Sequence, residues 1–251
     1  MTPSLIVLTG ASRGMGLAMA RQLLTEGHAV LCISRTEQPA LALHAEQSGA
    51  TLLQWCHDLT DGQGASARLE SWLRGQDRLA WHSAALINNA GVIARITPLS
   101  QADAGDLARA LRVGLEAPML LTSAFLRATE DWAGPRKVLN ISSGLGRRPM
   151  ASQAGYCAAK AGMDHFTRCL ALEEVAKPNG ARVCSLAPGV IDTDMQVQLR
   201  SADPEAFPDQ GSFARLKSAG QLTSPDEAAR RVLAYMARPD FGAQPVADVR
   251  D

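Results

Sequence analysis

The sequence predicts an α/β fold: one doubly wound parallel sheet, flanked by helices on both faces, in a single domain over residues 1–251. Three observations carry that expectation. Short apolar runs of strand length recur at 5–8, 29–33, 51–56, 84–87, 135–141 and 182–186. Segments with apolar residues at helical spacing separate them, and such alternation builds a parallel sheet covered by its own crossover helices. No repeat, low-complexity tract or linker interrupts the pattern.

Composition narrows the class of protein further. The 25 basic and 25 acidic residues balance, without a block of like charge, which argues against a nucleic-acid footprint or a membrane-surface patch. The five cysteines (Cys32, Cys56, Cys157, Cys169, Cys184) are scattered and mostly inside apolar runs. They read as buried thiols of a reducing compartment, with no metal-ligand spacing among them. No apolar run approaches a membrane span, and 5–8 is too short for the core of a signal peptide. The expectation is a soluble, cytoplasmic protein with no nucleic-acid or membrane partner.

The first strand, 5–8, runs straight into Thr9-Gly10-Ala11-Ser12-Arg13-Gly14-Met15-Gly16, and Leu17, Met19, Ala20, Leu23 and Leu24 follow at helical spacing. Strand, glycine-rich turn and helix in that order form a phosphate cradle, the opening of a Rossmann-type fold. Gly10 permits the tight turn. Gly14 and Gly16 let backbone N–H groups and the helix N-terminus approach a pyrophosphate, with Ser12 and Met15 in the same loop. A merely flexible turn is the plain alternative. Gly27 is a C-cap candidate for this helix.

The second strand ends in Ser34-Arg35-Thr36. An acidic residue there would suit the ribose 2′-hydroxyl of NAD, whereas arginine suits a 2′-phosphate, and Arg13 could reach the same group. NADP(H) is therefore favoured over NAD. After a helix at 39–47, the third strand brings Asp58 and Leu59 to its mouth. Asp58 could accept from an adenine amino group or cap the helix at 65–73. The fourth strand leads into Asn88-Asn89-Ala90-Gly91, which could line the cofactor ribose and brace the first strand, or form a plain turn. Residues 103–128 read as mostly helical, interrupted by Gly114 and Pro118.

The fifth strand carries Val138, Leu139 and Ile141 into Ser142 and Ser143. Open parallel sheets bind ligands just outside such strand ends. Tyr156 and Lys160, four residues apart on a helix at 155–177, share one helical face. An ammonium one turn away should lower the phenol pKa and make it a better general acid, while a serine hydroxyl holds a carbonyl oxygen beside it. Asn179-Gly180 turn the chain into the sixth strand, which opens onto Pro188-Gly189-Val190-Ile191-Asp192-Thr193. Thr193 could hydrogen-bond a nicotinamide amide. Residues 201–220 are polar, with Pro204, Pro208, Gly211 and Gly220, and read as a short helical excursion within a lid at about 193–222. A helix at 225–237, with proline in its first turn, and a short strand near 246–249 complete the chain.

These motifs, in this order, resemble the short-chain dehydrogenase/reductases: Thr9-Gly10-x-x-x-Gly14-x-Gly16, Asn88-Asn89-Ala90-Gly91, Ser143 thirteen residues before Tyr156, Tyr156-x-x-x-Lys160 and Pro188-Gly189. The resemblance covers nearly the whole chain. It implies that Tyr156 donates and accepts the proton, that Lys160 lowers its pKa and binds the nicotinamide ribose, and that Ser143 orients the carbonyl. The family's spacing picks Ser143 over Ser142, which is left as a strand-end hydrogen bonder.

Residues 171–174, 187–196, 216–222 and a tail ending in an aspartate-containing strand resemble the sepiapterin reductase and benzil reductase branch. In sepiapterin reductases an aspartate near the C-terminus anchors the substrate. Asp248 matches it best, with a solvated tail residue as the alternative. One position departs: Val113-Gly114-Leu115 has glycine where the family usually has an asparagine thought to hold a water of the proton relay.

The resemblance therefore implies an NADPH-dependent reductase of a small ketone or vicinal diketone. Alternatives are a reductase of a steroid, sugar or acyl-thioester carbonyl, or an NADP(H)-binding sensor or scaffold with little catalysis. It also implies a homodimer through two long helices, where the small residues Ala154, Ala158, Ala161 and Gly162 would admit a partner helix or else pack on the sheet.

Overall fold

The computed structural model describes residues 3–250, so Met1, Thr2 and Asp251 of the predicted domain lie outside the described residues. Seven parallel strands form one sheet: β1 (Leu5–Thr9), β2 (Ala29–Ser34), β3 (Leu52–Cys56), β4 (Ala84–Asn88), β5 (Arg136–Ile141), β6 (Arg182–Ala187) and β7 (Val246–Asp248). Their spatial order is β3-β2-β1-β4-β5-β6-β7. The chain builds outward from β1 to β3, returns beside β1 with β4, and then builds the other way. The reversal leaves a crevice at the C-terminal ends of β1 and β4, where such sheets take ligands.

Alternation along the strands assigns the two faces. Ile6, Leu8, Val30 and Cys32 point into a core closed by α1 (Gly14–Thr25), α2 (Pro39–Ser48) and α9 (Pro225–Ala237). Leu5, Val7, Leu31 and Ile33 point into the other, closed by α3 (Gly62–Arg74), α5 (Ala117–Ala128) and α6 (Ala154–Val175). Both faces are covered, so the strands read as continuous apolar runs.

Helix ends follow local chemistry. Gly27 adopts φ +79° just past α1, where its N–H and that of His28 bond to the carbonyls of Leu24 and Leu23. The N-cap of α3 is Asp61, which accepts from the Gly64 N–H at 2.9 Å. The capping alternative for Asp58 is thereby corrected: Asp58 lies three residues too early and accepts instead from the Thr60 N–H.

The helical stretch 103–128 divides into α4 (Ala104–Leu111), a π-helical turn (Arg112–Glu116) and α5. Gly114 sits in the π turn. Pro118 follows directly on the π turn: Glu116 and Ala117 keep helical backbone and the Ala117 N–H bonds back to the Arg112 carbonyl, so the helix runs on through a residue that donates no N–H. The excursion after β6 holds two helices, α7 (Asp194–Arg200) and α8 (Gln210–Ser218).

The reading of the cysteines needs correction. All five are free, but only Cys32 and Cys184 are buried; Cys56 and Cys169 are exposed and Cys157 is intermediate. Cys56 ends a strand at the sheet edge, and Cys169 lies on the outer face of α6. The small residues of α6 divide as well. Ala154, Ala158 and Ala161 are exposed, whereas Gly162 packs against Leu115, whose Cδ2 would lie 2.9 Å from an added Cβ. Among the described residues, no helix is long and apolar enough to cross a membrane.

Candidate active site

A cavity of 830 Å³ opens along the C-terminal ends of the strands. Apart from Asn88 of the asparagine turn, the candidate site residues from the sequence line it. One end is built by Gly10, Ser12, Arg13, Gly14, Met15 and Gly16, with Arg35, Asp58 and Leu59 beside them. Asn89, Ala90, Gly91, Pro188, Gly189, Val190 and Thr193 form its middle, and Ser143, Tyr156, Lys160 and Asp248 its other end.

The glycine loop cannot carry side chains at its two packed positions. A Cβ on Gly16 would fall 2.1 Å from the Gly10 carbonyl oxygen, and one on Gly10, at φ +71°, 2.9 Å from the Ala90 Cα. Asn89 braces the loop: its Nδ2 donates to the carbonyls of Thr9 (3.0 Å) and Gly10 (3.2 Å). The Thr9 hydroxyl accepts from the N–H groups of Asn89 and Ala90, each at 3.0 Å. Ser34 Oγ accepts from the Ala11 N–H at 2.9 Å. Of the two side-chain amides in this turn, that of Asn89 braces the loop. Asn88 is buried behind it, donating to Thr122 and Asn140. This preformed cradle, at the N-terminus of α1 and beside the sheet crevice, fits a dinucleotide pyrophosphate.

At the rim, Arg13 and Arg35 are both exposed. Arg13 pairs with Asp194 of α7 at 2.8 Å, so it ties the glycine loop to the excursion. The backbone N–H of Thr60 first, and then the charges of Arg35 and Arg109, hold the Asp58 carboxyl below its ordinary range. Arg109, from α4, also lines the cavity; a helix that reads as solvated in sequence gave no signal for it.

At the opposite end, β5 delivers Ser142 and Ser143 to the strand mouth. The Ser143 side chain caps a short 3-10 turn (Gly144–Gly146), accepting from the Leu145 N–H, and lines the cavity beside the Tyr156 phenol, on whose pKa it pulls. Ser142 turns inward and donates to Asp164 at 2.6 Å, the strand-end role expected of it. Lys160 is buried at 4 % exposure; its Nζ donates to the Ile141 carbonyl at 2.7 Å and lies 5.7 Å from the centre of the Tyr156 ring.

Burial pushes the Tyr156 phenol up, against the pull of Ser143. The downward pull expected from Lys160 is thus not what dominates, because the ammonium bonds to a backbone carbonyl rather than to the phenol. Burial lowers Lys160 to about 8, opposed by the charge of Asp164. Asp248 is buried, with its carboxylate held low chiefly by Arg250, which grips it at 2.6 and 2.7 Å. Gln196, also buried and on the cavity wall, has an Oε1 that accepts no hydrogen bond among the described residues.

The chain matches the short chain dehydrogenase family over residues 4–204 and belongs to the short-chain dehydrogenase/reductases. It is an oxidoreductase acting on CH–OH or C=O groups, in the branch that its motifs resemble, which sets aside the non-catalytic reading. More particularly, it is similar to a benzil reductase ((S)-benzoin forming) of Bacillus cereus, 36% identical over 236 residues, covering 94% of this chain and 95% of that one. A sepiapterin reductase of Meriones unguiculatus is 34% identical over 251 aligned residues, covering 94% and 92%. A solved short-chain dehydrogenase/reductase of Burkholderia vietnamiensis superposes with a TM-score of 0.67 at 34% identity, covering 100% of this chain and 99% of that one.

Proposed function

We propose that this protein reduces a ketone or vicinal diketone with NADPH, Tyr156 giving the proton. The observation that carries the reading is the pair of hydroxyls, Ser143 and Tyr156, at a strand mouth with buried Lys160 behind them, on the wall of the cavity that contains the glycine loop. In this reading the loop holds the pyrophosphate, Asp58 and Leu59 the adenine, Arg35 with Arg13 the 2′-phosphate, Asn89 to Gly91 and Lys160 the ribose, and Pro188 to Val190 with Thr193 the nicotinamide. The bound nicotinamide supplies the hydride. Ser143 and Tyr156 polarise the carbonyl from one side, and the charge that develops on its oxygen is met by their donors. Burial keeps the phenol protonated, ready to pass its proton to an oxygen that becomes far more basic than a phenolate.

The names of the two curated relatives support a substrate with adjacent carbonyls or a flat ring, with Asp248 at its far end. Residues 193–222 act as the lid, and the exposed face of α6 is the surface for a second copy of the chain. The test is NADPH oxidation with benzil, other vicinal diketones and sepiapterin, set against steroid, sugar and acyl-thioester carbonyls, and repeated with NADH. Turnover faster with NADPH is expected. Tyr156→Phe should lower kcat by at least about 100-fold, the scale of a lost general acid, while NADPH still binds. Tight NADPH binding without turnover of any carbonyl would overturn the assignment.

A further inference from the structure

Asp164 is the charged group of this region that the reaction above does not use. It lies one turn beyond Lys160 on α6 and is 1 % exposed. Three donors converge on it from two strands and a loop: Ser142 Oγ at 2.6 Å, Ser185 Oγ of β6 at 2.7 Å and Arg147 Nε at 3.3 Å. The 3-10 turn after Ser143 passes so close that a Cβ on Gly146 would lie 3.0 Å from Asp164 Oδ2. Arg147 reaches on to the Ala247 carbonyl at 2.7 Å, the residue before Asp248. One carboxylate thus ties together the ends of β5 and β6, the turn that carries Ser143, and the tail that carries Asp248. A buried carboxylate is costly unless it is hydrogen-bonded and paired, and here the same bonds fix the walls of the site.

We propose that Asp164 is a positioning residue of this site: it anchors the strand end beneath Ser143 and holds the Lys160 ammonium in its charged form. The inference rests on the reductase reading for its catalytic consequence, but not for its electrostatics. Asp164 is the charge that acts on Lys160 from α6, which also carries Tyr156 and Cys157; Arg147 after the 3-10 turn and Cys184 on β6 stand with Asp164. Burial keeps both Tyr156 and Cys184 protonated, the latter with a pKa of about 12. Asp164 and Arg147 are therefore the nearby charges, and Arg147 is turned to Asp164. Removing the carboxylate leaves the ammonium to burial alone; removing the arginine leaves the carboxylate's field less compensated.

The experiment is NMR of protein labelled with ¹⁵N-lysine, which has only Lys137, Lys160, Lys177 and Lys217 to resolve, with Lys160→Arg to assign the signal. In Asp164→Asn, whose amide oxygen still accepts from the two serines, Lys160 should titrate at least about one pH unit lower than in the parent. In Arg147→Met, at a side chain 33 % exposed, it should move upward, so the pair of variants remains decisive even if Asp164→Asn fails to fold. NADPH affinity should stay within about threefold, below the tenfold that a binding difference of 1.4 kcal/mol represents, and the alkaline limb of kcat should follow the lysine. An unmoved Lys160 in Asp164→Asn, or movement in the same direction in both variants, overturns the proposal. Absence of carbonyl turnover in the parent protein would instead overturn the reductase reading, and the lysine titration would still decide this one.

Discussion

At Lys160 the balance between burial and the Asp164 charge brings the amine to about 8, so it exchanges its proton close to neutral pH. A lysine with a lowered pKa keeps its charge only below that value. If the ammonium is needed beside the phenol and the ribose, kcat at saturating NADPH and carbonyl should be steady below pH 8 and fall as pH rises through about 8. Lys160→Arg should remove that fall, because guanidinium stays charged throughout the range. A profile that stays flat into the ordinary lysine range would show that the ammonium is not required. Tyr156 and Lys160 are legible because their spacing stands in register with the glycine loop, the asparagine turn and Ser143. Asp164 is not, because one acid in an amphipathic helix reads as a solvated residue until two strands and Arg147 enclose it.

Among the elements, the segment from α4 to α5 departs most from the simple pattern. Glycine and proline mark a disturbance in the sequence, but not its kind: the helix is not broken but widens into a π turn that holds Gly114 and ends just before Pro118. Such turns are rare and gather at functional sites. Gly114 is buried, and an added Cβ would come 3.3 Å from the Ala159 Cβ, the neighbour of Lys160. Restoring the family's usual residue with Gly114→Asn should therefore not improve this protein. We expect it to cost about 1–3 kcal/mol through overpacking, and to lower kcat by displacing α6 at Lys160. Urea denaturation and steady-state kinetics check both. A stable and faster variant would mean that the space is available and that glycine had been limiting the proton relay. The capping reading of Asp58 fails because α3 starts at Gly62, which puts Asp61 rather than Asp58 at its N-cap.

Over the whole molecule, the alternation of apolar runs and helices predicts a doubly wound parallel sheet, and right-handed crossovers place its helices on both faces; the order β3-β2-β1-β4-β5-β6-β7 is read from the structure. The cavity follows too, because the parallel sheet brings the C-terminal mouths of all seven strands to one edge, on either side of the reversal beside β1. The excursion after β6 was harder to read, since its order depends on a separate apolar cluster rather than on the sheet. Phe207 and Phe213 stack at 5.7 Å and pack with Leu199 against Ile93, Ile96 and Met150. Phe213 also lines the cavity, and Ser152, at φ 60°, ties the chain before α6 to Ala206. Such a satellite cluster can open without unfolding the two cores. Phe213→Ala should therefore leave the Tm within a few degrees, well short of the ~3–5 kcal/mol that a core Phe→Ala substitution costs. It should raise KM for the carbonyl by about tenfold while NADPH affinity holds, equivalent to 1.4 kcal/mol of binding. Trypsin should cut faster at Arg200, Arg215 or Lys217, the basic residues of this segment. An unchanged KM together with a large fall in Tm would mean that the cluster belongs to the folding core and that the segment does not open as a lid.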